Sequence, residues 1–170
     1  RYKSLSRGYE SILRIVIGLA ARSEITLFDE PVLGLDAAVR DQFYQALVQD
    51  FSEHPRTFIL STHLIEESAD IFEEVLILKN GRLIVNEPAD QLRLSACHLI
   101  GRAETADRFA QEHQLEVLNR EGIGHLASLA VRGQPGETLR QEASAAGLDL
   151  APVSLQKLFI YLTESDERQV

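Results

Sequence analysis

The sequence predicts an α/β protein in which a parallel sheet with helices is followed by a small ferredoxin-like domain. Up to Val85, short β-prone runs alternate with segments of helical periodicity, an order typical of parallel sheets. From Cys97 to Val153 the order becomes strand, helix, two strands, helix and strand, which is the ferredoxin-like pattern. The 170 residues are enough for two cores of this kind.

Hydrophobic spacing predicts the first elements. A helical period covers residues 9–22, and Ile25–Phe28 is a short buried strand that ends at Asp29-Glu30-Pro31. Asp36 is placed to cap a second helix, which Pro55 ends. The predicted core stripes of the two helices are Ile12, Ile15, Val16, Leu19 and Ala20 in the first and Val39, Phe43, Ala46 and Leu47 in the second.

The rest of the first domain contains three further strands. Thr57–Ser61 reads as a second buried strand and leads into a helix over residues 65–72. Strands at Val75–Leu78 and Leu83–Val85 are joined through Asn80-Gly81, a strong hairpin signal. We therefore expect a parallel sheet with a terminal hairpin.

Beyond Pro88 the pattern of the sequence changes. A short helix precedes the ferredoxin-like run, and a last helix closes the chain, so we expect a domain boundary near residues 93–96. The first domain then covers residues 1–93 and the second residues 94–170. The expected strands of the second domain are Cys97–Ile100, Leu115–Leu118, Leu126–Val131 and Leu148–Val153, and its helices are Ala103–His113, Gly136–Ala146 and Leu155–Leu162.

Composition excludes several classes of function. The net charge of −9 disfavours a protein that coats nucleic acid. The single cysteine, Cys97, excludes an intrachain disulfide and an all-cysteine metal site. No apolar run approaches the roughly 20 residues that a membrane span needs. The sequence begins at Arg1 and contains no methionine, so we expect it to be a piece of a longer protein.

Four short segments of the first domain carry residues suited to phosphate chemistry. They are Leu5-Ser6-Arg7-Gly8-Tyr9, Ile25-Thr26-Leu27-Phe28-Asp29-Glu30, Gly34-Leu35-Asp36 and Ser61-Thr62-His63. Each has an ordinary structural explanation as a helix cap, a strand end, a turn or a structural histidine. Each also fits chemistry: a helix N-terminus binds anions, one carboxylate can serve Mg²⁺, and a second can activate water.

Taken together, the four segments resemble the second half of an ATP-binding cassette (ABC) ATPase domain. They match the signature motif, the Walker B strand with its following glutamate, the D-loop and the switch histidine, in that family's order and spacing. The resemblance covers residues 1 to about 93 and implies a P-loop NTPase sheet. Four conclusions about the site follow from it by position. The resemblance implies that Ser6 and Gly8 contact ATP on an opposite subunit as signature residues and that Asp29 serves Mg²⁺. It further implies that Glu30 is the general base, and that Asp36 and His63 are the D-loop and switch residues.

The sequence departs from the family pattern in two places. Arg7 and Tyr9 replace a glycine and a glutamine of the usual signature. The P-loop consensus ends in a glycine, a lysine and a hydroxyl residue, whereas the lysines here, Lys3, Lys79 and Lys157, do not follow a glycine. We therefore expect this piece of sequence to be inactive by itself, and the full-length protein to be a Mg²⁺-dependent ATPase.

The resemblance further implies an ABC transporter subunit that binds and hydrolyses ATP. Its expected partners are a second ATPase subunit and a separate transmembrane permease subunit, and nucleic acid is not expected. Its location would then be cytoplasmic, at the inner face of the membrane. The segment Phe58–Phe72 is similar to the switch region of exporter cassettes, and residues 154–162 are similar to the closing helix of such subunits. Two alternatives stay open: a soluble ABC ATPase that does not act in transport, and a regulatory or dimerisation module.

Overall fold

The structure, a computed structural model, describes residues 6–164. The chain divides into two compact units between Ile71 and Phe72. Each unit contains its own cluster of buried apolar side chains. Within the described residues, no helix is both long enough and apolar enough to span a membrane.

The first unit consists of helices on a short parallel sheet. Its elements are α1 (Arg7–Ala21), β1 (Ile25–Asp29), α2 (Ala37–Glu53), β2 (Thr57–Ser61), α3 (Ile65–Ser68) and a 3-10 turn (Ala69–Ile71). The two strands run parallel, with Ile25 opposite Thr57 and Asp29 opposite Ser61. The predicted strand–helix–strand order of this segment is therefore confirmed.

The core of this unit is built around Phe28 on β1. The Phe28 ring meets Phe43 of α2 edge-on at a centroid distance of 5.5 Å and stacks on Phe58 at 6.3 Å. Helix α1 crosses β1 at Gly18, where an added Cβ would lie 2.6 Å from Phe28 Cε1. This close approach is possible because residue 18 has no side chain.

The opposite face of the β1–β2 sheet is open. Ile25 and Leu27 are each 64% exposed, and Ile59 is 41% exposed. Val16, predicted for the core stripe of α1, is 54% exposed, because α1 packs against the sheet with a face narrower than its apolar stripe. The described part of this unit thus presents an uncovered apolar surface.

The second unit begins with a hairpin and a short helix. Strands β3 (Glu74–Lys79) and β4 (Arg82–Pro88) pair antiparallel around Asn80-Gly81, as predicted, and α4 (Ala89–Arg93) follows. Among the described strands, β3 pairs with β4 and β2 pairs with β1, so the hairpin forms a sheet of its own. The hairpin groups with later residues because α4 packs along it and the Ala89 amide donates to the Glu73 carbonyl. The division into residues 1–93 and 94–170 stays a prediction.

The remainder of the second unit has the predicted ferredoxin-like order. Its elements are β5 (Ala96–Arg102), α5 (Ala103–Glu112), β6 (Val117–Ile123), β7 (Leu126–Arg132), α6 (Glu137–Ala145), β8 (Asp149–Pro152) and α7 (Leu155–Glu164). The four strands form one antiparallel sheet in the order β6-β7-β5-β8. The expected α/β class, with a parallel sheet followed by a ferredoxin-like module, is confirmed.

Helix α7 is attached to this sheet by a polar network. The Tyr161 hydroxyl donates to Glu121 Oε1 at 3.1 Å, and Lys157 Nζ lies 3.4 Å from Glu121 Oε2. The buried His98 ring on β5 faces Tyr161 edge-on, and its Nδ1 lies 3.0 Å from the Ser128 hydroxyl. The network joins α7 to β5, β6 and β7.

Candidate functional site

The carboxyl ends of β1 and β2 bring polar residues together. Asp29 and Ser61 are the last residues of their strands and lie opposite each other in the parallel register. The Ser61 hydroxyl donates a short hydrogen bond to Asp29 Oδ1, and the Glu30 amide donates to the Ser61 carbonyl at 3.0 Å. The sheet therefore fixes the exposed Asp29 carboxylate and the start of the following turn. The carboxyl ends of parallel strands are also where open α/β sheets bind ligands.

Glu30 and His63 form a close pair beside this strand end. Glu30 Oε1 accepts a hydrogen bond from the His63 amide at 3.1 Å and lies 2.8 Å from His63 Nδ1. Glu30 Oε2 is buried and has no partner among the described residues. The backbone of Glu30 is left-handed, with φ +45°, a conformation that costs free energy for a residue with a side chain. One carboxylate oxygen is thus committed to His63, and the other has an unsatisfied hydrogen-bonding capacity.

A tight turn connects Glu30 to α2. The Leu33 amide donates to the Glu30 carbonyl at 3.2 Å, and Gly34 has φ +82°, which glycine adopts without strain. Asp36 then caps α2, because its Oδ1 accepts the Val39 amide at 3.0 Å. The predicted capping role of Asp36 is confirmed, whereas its role toward a second subunit stays a prediction.

The N-terminus of α1 lies against this turn. Ser6 caps the helix, and the Tyr9 amide donates to its Oγ at 3.4 Å. Gly8 faces the turn, since a Cβ added there would lie 3.5 Å from the Gly34 carbonyl oxygen. One turn further along α1, the Ser11 hydroxyl donates to the Leu33 carbonyl at 3.2 Å. Leu5, the first residue of this segment, lies outside the described residues.

The structure thus brings the predicted site residues into two neighbouring groups of the first unit. The first group is Asp29, Glu30 and His63 at the strand ends, and the second is Ser6, Gly8 and Asp36 at the two helix N-termini. The role of Ser61 as the partner of Asp29 was not predicted from the sequence. Aligning the two predicted strands in parallel from their first residues places these two side chains opposite each other, so the signal was present.

The donor set at the strand ends fits magnesium better than zinc. Within residues 6–164, no cluster of three or more His, Cys, Asp or Glu side chains could form an all-protein metal site. Mg²⁺ typically takes one or two carboxylates and completes its shell with water and phosphate oxygens, whereas Zn²⁺ needs three or four protein ligands. Asp29, exposed and held by Ser61, is the carboxylate suited to such a magnesium ion.

Proteins of similar sequence are ATP-binding components of transporters. No protein-family profile matches the chain. The chain is 23% identical over 161 residues to the ABC transporter ATP-binding protein YtrB of Bacillus subtilis, covering 94% of this chain and 55% of that protein. It is 36% identical over 87 residues to the spermidine/putrescine import ATP-binding protein PotA of Ureaplasma parvum, covering 51% of this chain and 17% of that protein.

A solved structure gives a weaker likeness. It is an ATP-binding protein assigned to cobalt transport, with 23% identity, a TM-score of 0.49, and coverage of 81% of this chain and 47% of that one. The chain spans about half the length, or less, of the relatives it matches. The resemblance to ABC transporter ATP-binding subunits, inferred above from the motifs, is confirmed by the sequence relatives.

Proposed function

We propose that this chain, whose relatives are ABC transporter ATP-binding proteins, forms the signature-to-switch half of an ATP-hydrolysing transporter subunit. The observation that carries the proposal is the Glu30–His63 pair, placed beside Asp29 at the carboxyl ends of two parallel strands. A carboxylate held within reach of a phosphate-bound metal site can orient and deprotonate an attacking water.

The roles of the strand-end residues follow from their hydrogen bonds. Asp29 would hold Mg²⁺ with the oxygen that Ser61 leaves free. Bound Mg²⁺ would neutralise negative charge on the phosphate oxygens. Glu30 is the general base, and His63, which fixes Glu30 through two contacts on Oε1, is the switch residue beside the γ-phosphate. The His63 ring is exposed, and its Nε2 can donate to that phosphate when both ring nitrogens carry protons.

The helix N-termini would serve a nucleotide bound on a second subunit. Ser6 accepts a hydrogen bond from the Tyr9 amide, so its hydroxyl proton remains free to donate to a phosphate oxygen. The first turn of α1, which includes Gly8, adds backbone N–H groups and the positive end of the helix dipole. Asp36, which follows the part of the turn that Gly8 contacts, would communicate between the two subunits.

This chain would need further protein parts to hydrolyse ATP and to drive transport. Since the sequence contains no P-loop lysine, another segment must cradle the phosphates of the ATP that Glu30 acts on. We expect a second ATPase subunit and a separate membrane permease, with the subunit held at the cytoplasmic face through that permease.

Export is the direction favoured by the sequence of Phe58–Phe72. Relatives such as PotA are named as importers, so transport into or out of membrane vesicles is the measurement that decides.

The test of the proposal is the ATPase activity of the full-length protein with Glu30→Gln. This change keeps the size of the side chain and removes the base, so hydrolysis falls by about a hundredfold or more while ATP still binds. Glu66→Gln, the same change at an exposed position on α3, is the matched control and keeps wild-type activity. Hydrolysis near the wild-type rate in the Glu30→Gln variant would refute the assignment.

A further inference from the structure

An ion pair outside the predicted site links its two groups of residues. Arg40 Nη1 on α2 lies 3.0 Å from Glu67 Oε1 on α3. Arg40 is one helical turn beyond Asp36, and its amide donates to the Asp36 carbonyl at 3.0 Å. Glu67 lies four residues after His63, on the short helix α3 that follows it. The pair therefore connects the helix that Asp36 caps with the segment that carries His63.

This pair is better shielded from water than most surface ion pairs. The Arg40 side chain is 22% exposed and that of Glu67 is 39% exposed. Arg40 Nε is buried and has no hydrogen-bond partner among the described residues, so the guanidinium depends on Glu67 to compensate its burial. Reduced access to water strengthens the attraction between the two charges.

The charges of the pair and of Glu30 also influence the pKa of the buried Tyr44 hydroxyl. Tyr44 is one turn beyond Arg40 on α2 and is buried. Its burial raises the pKa of Tyr44; Ser68 and Arg40 oppose this rise, while the carboxylates of Glu67 and Glu30 add to it. The ion pair and the Glu30 carboxylate therefore share one electrostatic environment.

Helix α3 holds its position through tertiary contacts. It contains four residues and ends in a 3-10 turn, too short to be stable by itself. The Ser68 hydroxyl bonds within its own segment, to the carbonyls of Leu64 and Ile65. Leu64 and Ile71 pack against the core of the unit. Among the described residues, Arg40 and Glu67 form an ion pair between α2 and α3, and this pair restrains the orientation of the segment that begins at His63.

We propose that Arg40 and Glu67 are a positioning pair, which makes the turn at residues 33–36 and the His63 segment move together relative to Glu30. The inference rests on the proposed ATPase function and deepens it. A change at Asp36, caused by a second subunit, would shift the first turns of α2 and, through Arg40, the segment that presents His63. Neither member of the pair touches the nucleotide in this arrangement.

Charge reversal in the full-length protein tests the proposal. R40E and E67R each lower kcat by about tenfold, with the KM for ATP changed by less than about twofold, because binding is intact and positioning is lost. The double variant R40E/E67R restores the pair with opposite polarity and recovers most of the lost kcat. Reversal of Arg108–Glu112, an exposed pair on α5, is the matched control and leaves kcat unchanged.

A second readout needs no nucleotide. The His63 amide is bonded to Glu30 Oε1, so amide exchange in residues 61–68 reports the position of this segment. The single reversals increase exchange there and leave β1 and α1 unchanged, whereas a loss of overall stability would increase exchange in all of them.

Wild-type kcat in the single variants, or failure of the double variant to recover, would overturn the proposal. These outcomes are separate from failure of the ATPase assignment itself. That failure would appear as full activity in the Glu30→Gln variant, whatever the result at Arg40 and Glu67.

Discussion

At Gly18 the packing of the first unit depends on a single hydrogen atom in place of a side chain. Gly18→Ala would place a methyl group 2.6 Å from Phe28 Cε1, and the Phe28 ring is fixed by Phe43 and Phe58. Overpacking of this kind costs about 1–3 kcal/mol, and most of this range exceeds the gain of about 1 kcal/mol from replacing glycine by alanine in a helix. We expect a lower urea midpoint for the first unit.

The control for this prediction is Gly122→Ala on β6. An added Cβ there meets only ordinary contacts, at 3.4 Å or more. We expect its unfolding midpoint to stay close to wild type. Equal stability of the Gly18→Ala variant would mean that α1 can move away from β1 without cost.

Some residues of the site can be predicted from the sequence, and others cannot. Glu30 and His63 were predicted because each follows a strand, and parallel strands end at a common edge. Predicting the contact of Asp29 with Ser61 requires the register of β1 against β2, which is known only once the two strands are aligned with each other. Arg40 and Glu67 could not be found, because a pair between two helices leaves no local pattern and its members look like ordinary surface charges.

At the scale of elements, the docking of α7 on the sheet should depend on pH. Burial lowers the pKa of His98 on β5, and the positive charge of Lys157 lowers it further, against an opposing effect of Glu121. The unfolded chain then binds a proton more readily than the folded one below about pH 6.5. The contribution of neutral His98 to the free energy of unfolding is therefore fully present above about pH 6.5. The free energy of unfolding of the second unit decreases as the pH falls below that value.

Urea unfolding between pH 7.5 and 5.5 measures this effect. We expect the slope to flatten in His98→Gln and to persist in His125→Gln, which changes an exposed histidine of the same unit. An unchanged slope in the His98 variant would assign the pH dependence to other groups.

Strand limits were predicted less well than strand order. The predicted strand Leu115–Leu118 leaves Gly122 and Gly124 outside it, whereas β6 runs from Val117 through Ile123 and the turn is only Gly124-His125. Glycine suggested a loop, but pairing with β7 satisfies the backbone of this segment, with Ile123 opposite Leu126. Pairing with β7 therefore outweighed the local preference of glycine for a loop. The sequence of this segment alone does not show that pairing.

At the scale of the whole molecule, the open face of the β1–β2 sheet predicts self-association of the 170-residue chain. Ile25, Leu27 and Ile59 expose apolar surface beside strands with unpaired edges. We expect sedimentation coefficients that rise with concentration. Leu27→Lys reduces this rise, and Leu126→Lys, a similarly exposed position on β7, does not. Monomers at every concentration would contradict the prediction.

The parallel pairing of β1 and β2 also has a consequence for the order of folding. Hairpins such as β3–β4 and β6–β7 close over short turns, whereas the whole of α2 separates β1 from β2 along the chain. The larger loss of chain entropy makes such a pairing slow, and a two-stranded sheet by itself is barely stable. In pulse-labelling during refolding, we expect amides of the second unit to gain protection before those of β1 and β2. Asp29 and Ser61 would then meet late, so the residues at these strand ends would be among the last parts of the chain to reach their folded positions.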